Sequence, residues 1–368
     1  MTDELRRERP EGKSEGLCRR TFLALAPAGV AAGVAAAVPG RAFARRGAAP
    51  IHLRFSHFLG PDSYFQTDFI EPWARELEAR LPGEVTVEIL NGTDPTGEVT
   101  KQASHVESGV VDIALGLRGA EGQRMALSSL IELPMLVDDA RTGSLALWRL
   151  CEAGCLAPDY RGLKPLALFV HNPGVVHTLG RRVAEPADMA GLRLRVPGGP
   201  VALAAKRLGA VPSVLQVNDV MPAIHKGALD GVITNWGTPL SGFYDILTHH
   251  CDVPFYASAF FIAMNPARYA ALPPNVRHVL DQLSGVELVE RMIALWNRWD
   301  GAGRLRADAP GHDVVEPDAR QRSAWRDSLA PVADAYIGEL ESAHPEARAV
   351  HAAMLRCIAD VAPPDDPP

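Results

Sequence analysis

Apolar and charged positions alternate most regularly in residues 191–236. Leu192, Leu194 and Val196 alternate with Arg193 and Arg195, which predicts a strand with one apolar face. Pro197, Gly198, Gly199 and Pro200 stop that strand. Apolar residues at 201, 204, 205 and 208 then predict a helix that Gly209 closes. Residues 211–217 read as a second strand, and Asn218 or Asp219 can cap a second helix ending at Gly227. Val232, Ile233 and Thr234 form a third strand. This is a βαβαβ unit, and such units bind ligands off the carboxyl ends of their strands. Arg195, Asn235 and Trp236 stand at those ends. The donor fork of a guanidinium matches a carboxylate, so the pattern points to a pocket for a small acid.

The same order of elements occurs earlier in the chain. Residues 52–55 open a strand, with 56–61 read as the loop beyond it. Residues 65–81 follow as a helix with Phe65, Phe69, Trp73 and Leu77 on one face. Residues 85–89 are a strand, 98–108 a helix and 111–115 a third strand. Gly109-Val110-Val111-Asp112 parallels Gly227-Ala228-Leu229-Asp230 at the entry to that third strand. The expected fold class is therefore α/β with two lobes, each a mixed sheet flanked by helices, and a ligand cleft between them. Lobe 1 spans 45–172 and is completed by about 260–300; lobe 2 spans 173–259 and is completed by about 301–361. A helix at 141–154 and a strand at 163–170 belong to lobe 1. Residues 171–174 and the apolar stretch 255–264 carry the chain between lobes, and hinged lobes of this kind close around small solutes. Residues 362–368 are an expected disordered tail.

Composition narrows the function. The 368 residues carry a formal charge of −7, which argues against a nucleic-acid partner, and the 47% hydrophobic content is ample for two cores. The N-terminus reads as an address. Arg19-Arg20 with Phe22-Leu23 precedes an apolar run at 24–38, and Ala42-Phe43-Ala44 supplies a small-x-small cleavage pattern. The run is too short and weakly apolar for a span of about 20 residues, and the arginine pair resembles a Tat signal. Residues 1–44 are expected to be removed on export to the periplasm. Cys151 and Cys155 read as buried thiols. His249 and His250 near Cys251 are adjacent and converge poorly on one ion, so no metal is expected, and no cofactor either. The mature chain has no Gly-x-Ser-x-Gly elbow, His-Glu-x-x-His helix or phosphate-binding glycine loop. Binding is the reading, with a cleft hydrolase as the enzyme alternative. Candidate ligand contacts are Arg195, Asn235, Trp236 as an aromatic wall, His57, His177 and Phe58, with Tyr64 and Phe260 behind them. Arg193 reads as a solvated surface charge.

From 51 to about 361 the chain resembles the solute receptor of a TRAP transporter, the DctP-like class with the periplasmic-binding-protein type II fold. Asp188-Met189-Ala190-Gly191-Leu192-Arg193-Leu194-Arg195-Val196-Pro197 matches the family pattern D-x-K-G-L-K-[IL]-R-V-P. Leu208-Gly209-Ala210-Val211-Pro212, Ala228-Leu229-Asp230-Gly231, and Asn265 with Leu272-Pro273 follow at the family spacing. The resemblance implies that Arg195 pairs with the substrate carboxylate. It also implies a monomer that works with TRAP permease membrane subunits; a sensor passing closure to a signalling partner is the alternative. Two departures bear on the substrate. Many relatives carry a second arginine where Val175 stands here, and Ile233-Thr234 replaces the usual Glu-Asn, with Asn235 one place later. A single arginine favours a monocarboxylate, with an apolar or aromatic body.

Overall fold

The computed structural model describes residues 49–238 and 242–361, so the expected signal segment 1–44 and the tail 362–368 lie outside the described residues. Eleven strands among them form two mixed sheets. In chain order they are β1 Ile51–His57, β2 Val85–Leu90, β3 Ile113–Leu117, β4 Lys164–Val170, β5 Gly174–Thr178, β6 Arg193–Val196, β7 Val211–Val214, β8 Gly231–Thr234, β9 His249–Tyr256, β10 Ala259–Met264 and β11 Asp313–Val315. The first sheet runs β2-β1-β3-β10-β4 and the second β11-β9-β5-β8-β6-β7.

Each sheet contains one copy of the repeated unit, with its first strand in the middle and parallel neighbours on both sides. The copies share a pair of hydrogen bonds. In the first, the Arg54 N–H donates to the Asp112 carboxylate at 2.8 Å and the Asp112 N–H returns to the Arg54 carbonyl at 3.0 Å. In the second, Arg193 and Asp230 make the same two bonds at 2.9 Å and 2.8 Å. A carboxylate that closes the edge of the pairing on its neighbour's backbone locks the register, which a one-residue slip would ruin. The repeat is therefore structural, and it makes Ser56 the counterpart of Arg195.

The chain passes between lobes more often than the two crossings expected. Residues 171–173 join β4 to β5, and 257–258 join β9 to β10, splitting the apolar stretch 255–264 into strands of different sheets. The helix Val286–Ala307 makes a third passage. Its Val289, Met292 and Trp296 lie in the first lobe's core, and Ala307 packs with Trp236 in the second. At 22 residues it is about 33 Å long. The helix Pro331–Glu341 makes the fourth, with Val332 in the second core and Ile337 and Leu340 in the first. The expected boundary at 301–361 is corrected here. Ala347, Val350 and Met354 of the final helix, Ala347–Val361, bury against the first lobe, where that helix packs on the helix Ala140–Glu152. At the second crossing Arg118 and Glu132 form a buried ion pair. The carboxylate also accepts the Ala259 N–H at 3.0 Å, which anchors the crossing to lobe 1.

Candidate functional site

Arg195 is held by the strand that sequence alternation defined. Leu194 and Val196 face the second core, while Arg195 points the other way at the carboxyl end of β6. Arg193 shares that face one pleat earlier, yet it is exposed and forks onto Asp230. Arg195 is only 5% exposed. Its Nε donates to the Leu215 carbonyl at 2.9 Å, and the Tyr256 hydroxyl stands beside it. No carboxylate lies within ion-pair distance among the described residues, whereas the equally buried Arg118 has Glu132. Burial pulls the Arg195 pKa below the usual arginine value, because charge is costly in a dry setting without a counter-charge. The guanidinium borders a narrow pocket. Val217, Val220, Val232 and Phe243 wall it, and Thr234 and Thr238 bring hydroxyls.

Asn235, Trp236 and His177 come together, but around the second lobe's own core. Asn235 Nδ2 donates to Asp300 Oδ1 at 2.6 Å, and the Thr238 hydroxyl bonds to the Asn235 carbonyl oxygen. Asp300 also accepts the Gly237 N–H at 2.5 Å, and burial raises its pKa to about 7. The helix Val286–Ala307 thus clasps the turn that lines the Arg195 pocket. Trp236 donates to Asp252 at 3.2 Å beneath the Arg304 guanidinium, packing with Val175, Tyr244 and Ala307. His177 is engaged at both nitrogens, by the Thr234 carbonyl at 3.2 Å and His250 at 2.7 Å. His250 continues to His312 at 3.0 Å. The backbone carbonyl can only accept, so the chain has one consistent direction of donation, from His312 through His250 and His177 to Thr234. Burial lowers the pKa of His177 to about 3 and of His250 to about 4, and neutral rings are what the chain requires. A second small cavity, of about 10 Å³, lies against His177, Asn235 and Tyr244 and shares Phe243 with the first.

His57 and Phe58 belong to the first lobe. The strand extends through His57, so the loop expected at 56–61 begins only at Phe58, which is partly buried against the first core. His57 is fully buried and hydrogen-bonds to Gln66. Among the described residues no hydrogen bond, ion pair or ring contact links either residue to Arg195. Two residues missed by sequence reasoning make the connection. His171, on the first crossing, packs edge-on against Tyr256 at 5.2 Å and against Phe260 at 6.2 Å. Its Nε2 accepts the Ser258 N–H on the second crossing at 3.1 Å. A continuous path therefore runs from Arg195 through Tyr256 and His171 to Phe260, whose ring meets Phe65, Phe169 and Trp296. The only sequence signal for it was their position in the two expected crossings.

Residues 55–339 match the family model described as bacterial extracellular solute-binding protein, family 7, DctP. The chain is similar to a TRAP solute-binding protein from Rhodoferax ferrireducens crystallised with copurified benzoate. Identity is 26%, TM-score 0.79, and the match covers 84% of this chain and 98% of that one. A TRAP periplasmic solute-binding protein from Bordetella bronchiseptica, with bound (R)- and (S)-mandelate, is 25% identical with a TM-score of 0.75, covering 85% and 100%. The C4-dicarboxylate-binding periplasmic protein DctP of Rhodobacter capsulatus is 24% identical over 78% of this chain and 86% of its own.

Proposed function

The chain belongs to the DctP family of bacterial extracellular solute-binding proteins, and on that premise we propose that it captures a small monocarboxylate with an aromatic or apolar body. Arg195 carries the reading. It is a buried cation at a strand's carboxyl end with no carboxylate partner among the described residues, and a ligand carboxylate would supply one through two parallel hydrogen bonds. The apolar walls beside it suit a ring, and the benzoate and mandelate of the Rhodoferax and Bordetella proteins support an aromatic acid over a dicarboxylate. The lobes close on the ligand by bending at 171–174 and 255–261. The closed, monomeric receptor then delivers the acid to TRAP permease subunits after export through the twin-arginine signal.

Titration calorimetry with benzoate, mandelate and benzamide tests this. The acids bind and the amide binds poorly; Arg195→Ala weakens the acids by about two orders of magnitude, since hydrogen bonds to charged groups contribute roughly 1.5–3 kcal/mol each. Equal affinity of Arg195→Ala and wild type for an acid would refute the reading.

A further inference from the structure

Two internal spaces of the second lobe meet at a single ring. The pocket beside Arg195 and the cavity beside His177 have one lining residue in common, Phe243. The turn at 234–238 continues the partition. Thr234 and Thr238 face the Arg195 side, their hydroxyls 3.0 Å apart, and Asn235 faces the other. The ring is a wall and not a swinging lid. It is 4% exposed and packs in the cluster of Val220, Val232 and Leu247. The Phe243 carbonyl accepts the Ile246 and Leu247 N–H groups at 3.1 and 2.7 Å, which pins the backbone beneath it. Neither space holds more than about one water. An acid held by Arg195 therefore presses its body on these walls, and Phe243 is a wall with a further void behind it.

The cavity behind the ring is polar by composition but not by chemistry. His177 is engaged at both nitrogens and the Asn235 amide at both ends, and the Tyr244 hydroxyl donates to the Trp236 carbonyl at 2.6 Å. A polar substituent entering there would give up water for groups already committed within the fold. An apolar one gives up nothing and packs on Leu247 and the ring faces. Resting on the reading of Arg195 as the carboxylate anchor, we propose that Phe243 is a specificity-determining residue that limits the length of the acid's body. The cavity of His177, Asn235 and Tyr244 is then a closed subsite for an apolar extension of that body. An apolar void of about 150 Å³ stays dry and takes up benzene, so trimming the ring opens the subsite to a small alkyl group.

Calorimetry on the mature chain with benzoate, 3- and 4-isopropylbenzoate and the 3- and 4-carbamoylbenzoates tests the proposal. The carbamoyl group matches isopropyl in shape but not in polarity. The wild type binds benzoate roughly ten-fold or more tighter than all four substituted acids. In Phe243→Ala one isopropylbenzoate gains roughly ten-fold or more relative to benzoate, and its carbamoyl counterpart does not. Phe243→Leu opens the partition in part and shows the same trend to a smaller extent, so the test survives if Phe243→Ala does not fold. Val201→Ala, a truncation in the lobe's other core cluster, keeps the wild-type ratio, so the gain reports the partition and not a looser lobe. An unchanged ratio in both Phe243 variants overturns the proposal. So does wild-type tolerance of the isopropyl group, an equal gain for the carbamoyl acid, or the same gain in Val201→Ala. Failure of every acid to bind the wild type refutes the Arg195 reading instead.

Discussion

The Tyr256 ring occupies the space a side chain at position 174 would need: a Cβ built on Gly174 lies 2.2 Å from Tyr256 Cε1. The two residues are also cross-strand partners at the ends of β5 and β9, where the chain enters and leaves the second lobe. Glycine is required there by close approach. Gly174→Ala should push the ring off Arg195 and His171, costing about 1–3 kcal/mol, as overpacking does. Urea melts report the stability loss, and acid binding falls with it. Tyr256→Phe keeps the ring, so it should leave the fold near wild type and weaken binding alone.

Arg195 should trade stability for binding. A buried guanidinium without a counter-charge is costly in the empty receptor, and methionine fills similar volume without charge. Arg195→Met should melt no lower than wild type in the absence of ligand, yet gain no thermal shift from an aromatic acid. Thermal melts with and without benzoate measure both.

Four buried histidines make the fold acid-sensitive. Burial holds His57, His171 and His250 at about 4 and His177 at about 3, against an ordinary 6.5. As pH falls from 6.5, the unfolded chain takes up protons that the folded chain refuses. Stability is therefore full above 6.5 and declines as pH falls, down to about 4 for three of the rings and to about 3 for His177. Denaturant midpoints at successive pH values should fall steadily across that window; a flat profile would count against the buried neutral rings.

Asp300 acts in the opposite sense. Burial raises its carboxyl to about 7, so between the ordinary 3.8 and 7 the folded chain holds a proton the unfolded chain has lost, and stability falls as pH rises. Asn at this position keeps an oxygen for Asn235 and Gly237 without the buried charge. Asp300→Asn should melt above wild type at pH 8, with the gap closing toward pH 4.

What the sequence revealed followed from local periodicity. Leu192, Leu194 and Val196 announce β6, and the matching approach to Asp112 and Asp230 announces the repeat, because both signals lie within a few residues. β11 was missed because three residues, Asp313–Val315, are too few to show alternation. Trp236 read as a wall at a strand end, but its indole is engaged by Asp252 and Arg304, partners 16 and 68 positions away. Tyr256 and His171 were overlooked for the same reason, since neighbours contributed by both crossings exist only once the lobes assemble. The final helix went to the wrong lobe because its apolar stripe specifies burial without specifying against what.

The helix Val286–Ala307 has a consequence for how such receptors can be recombined. With its first half in one core and its second half in the other, no cut through the chain separates the lobes without dividing a continuous helix. A chimera that exchanges a lobe with a relative must also exchange the matching part of this helix and of Pro331–Glu341 beyond it.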